Sequence, residues 1–326
     1  MIATDEPIHV HEYVLQSGSP LNSASTRRHF PGALIRVGDG YGAVHPWPEF
    51  GDDPIEVQLE KLAAGQLTPQ TDLAMQCALE DGAARRAGAS LFADLPVPVS
   101  HYSWSFAQDT APQMDRVLSE GWPAIKAKGF LHWGETLRFV ESCASVSAGT
   151  DLMLRVDFNG CLARADFERF IEFMALKAYR RLDVIEDPFP YDAESWKACQ
   201  DRWGLALALD KGWSSATDGF DAVVVKPARR DWRFVAEKFP DAPLILTSAM
   251  DHPLGQTFAA YQAALAWRDL GDSRISLCGL CTQHLFQTDA FSDRLITTGG
   301  QFAPDTSGGG LGFGDLLEGL PWRRLN

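Results

Sequence analysis

From about residue 99 onward, short apolar runs alternate with longer segments of mixed character. The runs are "VSHYSWSF", "PAIKAKG", "LMLRVDFNG", "LDVIEDP", "LALALDKG", "AVVVKPA", "PLILTSAM" and "RISLCGL". Runs this short and this rich in Val, Ile and Leu predict buried strands. Most of the intervening segments carry helical periodicity, as in "RADFERFIEFMALKAYRR" and "GQTFAAYQAALAWRDLG". Alternating strand and helix implies parallel strands joined by right-handed crossovers. Eight such units predict a (β/α)8 barrel over residues 99–297. An open doubly wound sheet is the competing arrangement, but no G-x-G-x-x-G follows a first strand to support it.

Residues 1–98 have a different pattern. "GALIRVGDGYGAVHPWPEF" alternates around a Gly-Asp-Gly turn and predicts a hairpin. "DPIEVQLEKLAAG" and "PQTDLAMQCALEDGAARRAG" predict amphipathic helices, so an α+β domain precedes the barrel. "ADLPVPVSHY" is the expected linker. The glycine-rich tail, residues 298–326, is expected to leave the barrel and return toward the first domain.

Composition narrows the class. With 45% hydrophobic residues in 326, the chain can bury a large core. A net charge of −14 repels phosphate backbones and argues against nucleic acid as a partner. No apolar run approaches the ~18 residues of a membrane span. "MIATDEPIHVHEY" lacks the basic-then-apolar order of a signal peptide. The six cysteines are scattered, as expected of reduced thiols in a cytoplasmic protein, and Cys278 and Cys281 are expected to serve packing.

The chemistry lies where the predicted strands end, the face on which barrels of this kind place their active sites. The second strand ends in Lys126 and Lys128, the third in Asp157 and Asn159, and the fourth in Glu186 and Asp187. The fifth ends in Asp210 and Lys211, the sixth in Lys226, the seventh in Thr247 and Ser248. Asp157, Glu186 and Asp210 are separated by 29 and 24 residues, about one βα unit each. Neighbouring strands lie about 4.8 Å apart, so the three carboxylates can converge. Unpaired, they would repel; a hard divalent cation such as Mg²⁺ relieves that repulsion. Each acid taken singly could be a solvated strand end. Asp187 is expected to bond locally and position the proline turn.

In an eight-stranded ring the sixth strand lies opposite the second, so Lys128 and Lys226 are expected to face each other across the mouth. A lysine base at neutral pH needs a lowered pKa, which a nearby cation and partial burial supply. Lys126 points to the same side as Lys128. The ensemble suits removal of a proton next to a metal-bound carboxylate.

These residues resemble the enolase superfamily, muconate-lactonizing subgroup. "IKAKG" is similar to its strand-two K-x-K, "VDFNG" to its D-x-N metal motif, "IEDP" to its second metal motif. "LALDKG" is similar to the segment of its third metal aspartate and "VVVKPA" to its strand-six lysine segment. Within the subgroup, "GYGAVHPWPEFGD", "LTSAMDHPLG" and "APDTSGGGLGF" are most similar to o-succinylbenzoate synthases of menaquinone biosynthesis. The resemblance implies a capping domain in front of the barrel. It implies Mg²⁺ (or Mn²⁺) on Asp157, Glu186 and Asp210, Lys128 as base and Lys226 as charged stabiliser. Lys126, Asn159 and Ser248 are implied substrate contacts, the substrate being a small carboxylate. Two positions depart from the pattern: Ala249 follows Ser248 where a second serine is common, and Lys211 follows Asp210 where an acid is common. The substrate-covering loop is expected in "QSGSPLNSASTRRHF", where Arg27 or Arg28 either meets a carboxylate or is solvated. N-acylamino acid racemases, dipeptide epimerases and muconate cycloisomerases would use the same residues. A Schiff-base aldolase barrel and a non-catalytic interaction barrel are the rivals from other classes.

Overall fold

The computed structural model describes residues 6–22, 25–176, 181–305 and 308–325. Four stretches of the sequence reading lie outside them: residues 1–5 at the start of the sequence, 23–24 of the covering loop, 177–180 of one helical segment, and 306–307 of the tail.

β1 (Ile8–Gln16), β2 (His29–Val37) and β3 (Gly40–Val44) form an antiparallel sheet. The β2–β3 hairpin turns at Gly38–Asp39 with Val37 opposite Gly40, and Gly38 takes the left-handed φ of +57° the turn requires. α1 (Ile55–Ala63) and α2 (Pro69–Arg86) follow. Ile8, Val10, Ile35, Val37, Val44, Leu59, Leu62 and Met75 are buried in this layer's core. A Cβ on Gly42 would stand 2.1 Å from the Ala74 carbonyl oxygen, so glycine is what lets β3 approach α2. Thr68 caps α2 in a reciprocal pair of bonds with Thr71.

The parallel strands are β4 (Tyr102–Ser103), β5 (Ala124–Lys128), β6 (Met153–Asp157), β7 (Leu182–Glu186), β8 (Leu207–Leu209), β9 (Ala222–Val225) and β10 (Leu244–Leu246), hydrogen-bonded in that order. Residues 275–279 supply the eighth stave as isolated parallel bridges, Leu244 to Ile275, Thr247 to Gly279 and Ser100 to Cys278. They join the last strand to the first, so the ring closes. Outside it run α3 (Thr110–Glu120), α4 (Trp133–Val146), α5 (Arg164–Leu176), α6 (Ala193–Trp203), α7 (Trp232–Lys238) and α8 (Pro253–Leu270). No helix stands between β8 and β9. "DKGWSSATDGF" is too short and too rich in Ser, Thr, Asp and Gly to form one, and Gly212 and Gly219 both take positive φ there.

The tail is more ordered than a glycine-rich segment suggests. β11 (Ile296–Thr298) and β12 (Gln301–Ala303) form a hairpin around Gly299–Gly300, at φ of +58° and +83°. After α9 (Gly314–Glu318), β13 (Arg323–Arg324) pairs antiparallel with β1 and completes the first sheet. Asp81 of α2, fully buried, accepts from the backbone N–H of Tyr41 at 3.0 Å and of Leu311 at 2.7 Å, and from Arg85 at 2.7 Å. All six cysteines are thiols outside any disulfide. Among the described residues no helix is long and apolar enough to cross a membrane.

Candidate active site

The parallel register delivers the predicted acids to one place. Lys128 is paired with Asp157, and Asp157 with Glu186, in adjacent ladders. Asp210 follows the last residue of β8. All three carboxylates, with Lys126, Lys128, Asn159, Lys226 and Ser248, line one chamber of about 420 Å³ at the C-terminal mouth of the barrel.

Each lysine engages an acid. Lys128 Nζ stands 2.5 Å from Asp157 Oδ2. Lys126 lies 2.5 Å from Glu186 and 3.3 Å from Asp157, bridging the two. Lys226 pairs with Asp210. Burial and the neighbouring Asp157 charge push Glu186 up to about 7, Lys126 opposing. Burial also works against ionisation of Asp157, yet the ammoniums of Lys128 and Lys126 hold it well below the usual range. The same acids hold Lys126 above its ordinary value, against the cost of burial.

A supporting layer fixes these groups. Asp187, at a left-handed φ of +42°, accepts from the backbone N–H of Asp210 at 3.0 Å and of Lys211 at 3.2 Å. This differs from the local bond at its own proline turn expected of it: the side chain reaches across to the end of the next strand, 23 and 24 residues on. Asn159 donates its N–H to Asp157 at 2.9 Å, while its buried Oδ1 has no partner. Lys211 donates to the Asn159 carbonyl at 2.8 Å and stands 4.7 Å over the Phe50 ring. Ser248 shares a 2.6 Å hydroxyl bond with Thr282 and accepts from Met250 N–H at 3.2 Å.

The donor set tests for a cation. Among the described residues no three His, Cys, Asp or Glu side chains are already grouped to hold a metal; the acids are engaged by the lysines instead. Their chemistry nonetheless fits a hard divalent ion. The donors are all oxygen, with Asp157 and Glu186 buried and Asp210 nearly so, burial and then the Asp157 charge raise Glu186, and the unpartnered Asn159 Oδ1 belongs to the same chamber. Closing a coordination sphere requires the ammoniums to swing off the carboxylates.

The opposite wall was not legible beforehand. Leu21, Trp104, Phe106, Phe130, Leu131 and Leu285 make it apolar. Phe106 is 41% and Leu131 63% exposed, the one sign of a ligand-facing surface. His101 and Ser103 of the first stave also line the chamber; burial and nearby Arg155 keep His101 well below its usual pKa. From the covering loop, Ser19 to Asn22 reach the chamber, but Arg27 and Arg28 do not. Arg27 is held by Glu49 at 3.0 Å and lies over Phe30 and Trp47; Arg28 is exposed.

The sequence model of "O-succinylbenzoate synthase, N-terminal domain" matches residues 8–84. An o-succinylbenzoate synthase of Bdellovibrio bacteriovorus is 31% identical over 96% of this chain and 97% of its own length. The chain belongs to the o-succinylbenzoate synthase family. Its fold recurs in solved structures of much lower identity. A mandelate racemase/muconate lactonizing protein of Herpetosiphon aurantiacus superposes with a TM-score of 0.72 at 16% identity, covering 95% of this chain and 98% of the other. The dipeptide epimerase of Methylococcus capsulatus, complexed with Mg and L-Arg-D-Lys, does so at 0.73 and 16%, covering 94% and 98%. Those two likenesses speak for the barrel and its capping layer, while membership of the synthase family rests on the closer relative.

Proposed function

We propose that this protein is a Mg²⁺-dependent o-succinylbenzoate synthase, a hydro-lyase of menaquinone biosynthesis. It removes water from 2-succinyl-6-hydroxy-2,4-cyclohexadiene-1-carboxylate and releases 2-succinylbenzoate. The observation that carries this reading is the near full-length kinship with a synthase, joined to one chamber holding the lysines of β5 and the lysine just after β9 with three strand-end carboxylates. Asp157, Glu186 and Asp210 would hold the cation. When bound, it supplies positive charge against the substrate carboxylate as negative charge builds there; Mn²⁺ is expected to substitute.

Lys128 takes the proton from the ring carbon bearing that carboxylate. The C–H electron pair becomes part of the ring as the C–OH bond on the adjacent carbon breaks. Lys128 Nζ returns its proton to the departing hydroxyl, which leaves as water, and the ring becomes aromatic. Lys226 stays protonated and offsets the developing negative charge. Lys126, Asn159 and Ser248 orient the substrate, and the apolar wall excludes water from the reacting carbons. The absence of disulfides among the six cysteines fits a reducing, cytoplasmic compartment.

The test is loss of the substrate's diene absorbance with purified protein and Mg²⁺. Turnover should vanish with EDTA and fall by about 10²–10⁴-fold in Lys128→Ala. No turnover from a folded, Mg²⁺-binding protein would sink the synthase reading and turn attention to N-acylamino acids and dipeptides.

A further inference from the structure

Beside the reaction chamber lies a second cavity, of about 720 Å³. The two share only Phe50, Asp210 and Lys226 as lining residues. Four acids and four bases line the second cavity, but they do not all pair with one another. Asp52 is taken by Arg229 and Asp210 by Lys226. Glu49 and Asp53 are taken by Arg27 and Lys61, at 3.0 and 2.5 Å, cations that do not line the cavity. Lys211 and Arg230 are left over. Lys211 spends one N–H on the Asn159 carbonyl. The Arg230 guanidinium lies 3.5 Å from the Trp213 ring centroid and, among the described residues, has no ion pair or hydrogen bond. Burial lowers it to about 10, with Asp210 opposing and Arg229 adding to the shift.

A third donor completes the lining. Gln70 is 6% exposed, and its buried Nε2 has no partner. The orientation of its amide is set by a chain of bonds. Thr68 Oγ1 donates to Gln58 Oε1 at 2.8 Å, which commits Gln58 Nε2 to donate to the Asp53 carbonyl at 2.9 Å and to Gln70 Oε1 at 2.7 Å. Gln70 is therefore left with spare N–H groups.

We propose that this cavity binds a small oxyanion, a carboxylate or phosphate, through Arg230, Lys211 and Gln70. The planar Arg230 fork suits two oxygens of one ligand; the ammonium and the amide take the others. The proposal stands apart from the dehydration chemistry and does not depend on it.

Isothermal titration of the full chain in Mg²⁺ buffer tests it, with inorganic phosphate in one arm and succinate in the other. At least one anion should bind, and the tighter of the two identifies the ligand as phosphate or carboxylate. Binding should weaken tenfold or more in Arg230→Gln/Lys211→Met, and by less in Arg230→Lys. It should persist in Lys128→Ala, which alters only the reaction chamber. Absence of binding to the unsubstituted protein would overturn the proposal. So would equal binding by the double variant, or loss in Lys128→Ala, since either places the anion in the reaction chamber.

Discussion

Asp187→Ala probes how the end of β8 is held. The side chain is 2% exposed, and its carboxylate accepts two backbone N–H bonds from Asp210 and Lys211. Orphaning two part-buried donors costs toward the lower end of about 1–3 kcal/mol each. Alanine at φ +42° adds about 1 kcal/mol, because Asp tolerates the left-handed region through local bonding. An opposing effect reduces the sum. Burial, then Asp210, Glu186 and Asp157, push the Asp187 carboxyl well above its usual range, so removing it relieves like-charge repulsion. The net loss should be about 2–4 kcal/mol, read as a lower thermal midpoint. Asp210 would also lose its fixed backbone, and Mg²⁺ affinity by titration should fall about 10–100-fold, as when outer-shell partners of metal ligands are removed. Asp187→Asn keeps an acceptor and tolerates the same backbone angle, so it should lie much closer to the unsubstituted protein in both readings. Unchanged Mg²⁺ affinity in Asp187→Ala would refute the positioning role. Equal damage from Asn would show that charge, not acceptor geometry, matters.

Two further expectations concern the scaffold. Gly42→Ala places a Cβ 2.1 Å from the Ala74 carbonyl, a backbone atom that cannot step aside; pushing α2 off the sheet should cost about 3 kcal/mol by denaturant unfolding. The buried histidines predict acid sensitivity. Burial holds His45 down to about 3 and His252 and His284 down to about 4, against about 6.5 for an unfolded histidine. The unfolded chain therefore binds protons first as pH falls. Stability is complete above pH ~6.5 and declines toward pH ~4, by about 1.4 kcal/mol per pH unit for each histidine. His284→Asn should flatten that slope in thermal melts at stepped pH, and an unchanged slope would show that the ring is not buried neutral.

Much of the site could be read because of one geometric rule. Parallel strands in a barrel all end on one face, so residues at strand ends meet there whatever the intervening helices do. Asp157, Glu186, Asp210, Lys128 and Lys226 needed only that rule, and the register placing Asp157 opposite Glu186 follows from it. The β2–β3 hairpin and α2 were equally local, decided by a Gly-Asp turn and a Thr68 cap. The helix expected of a complete eighth-fold repeat fails between β8 and β9 because Gly212 and Gly219 take angles a helix does not offer.

What the sequence determined by itself was the order of elements and the chemistry at their ends, since periodicity and turn residues act over a few positions along the chain. Tertiary structure decided which side chains would be partners. Asp81 clasps Leu311 across 230 residues, Arg27 finds Glu49 instead of the chamber, and Arg230 is left on Trp213 without an acid. Side chains far apart in the chain meet only after both layers have packed, and their pairing depends on ångström-scale loop placement that no local pattern encodes.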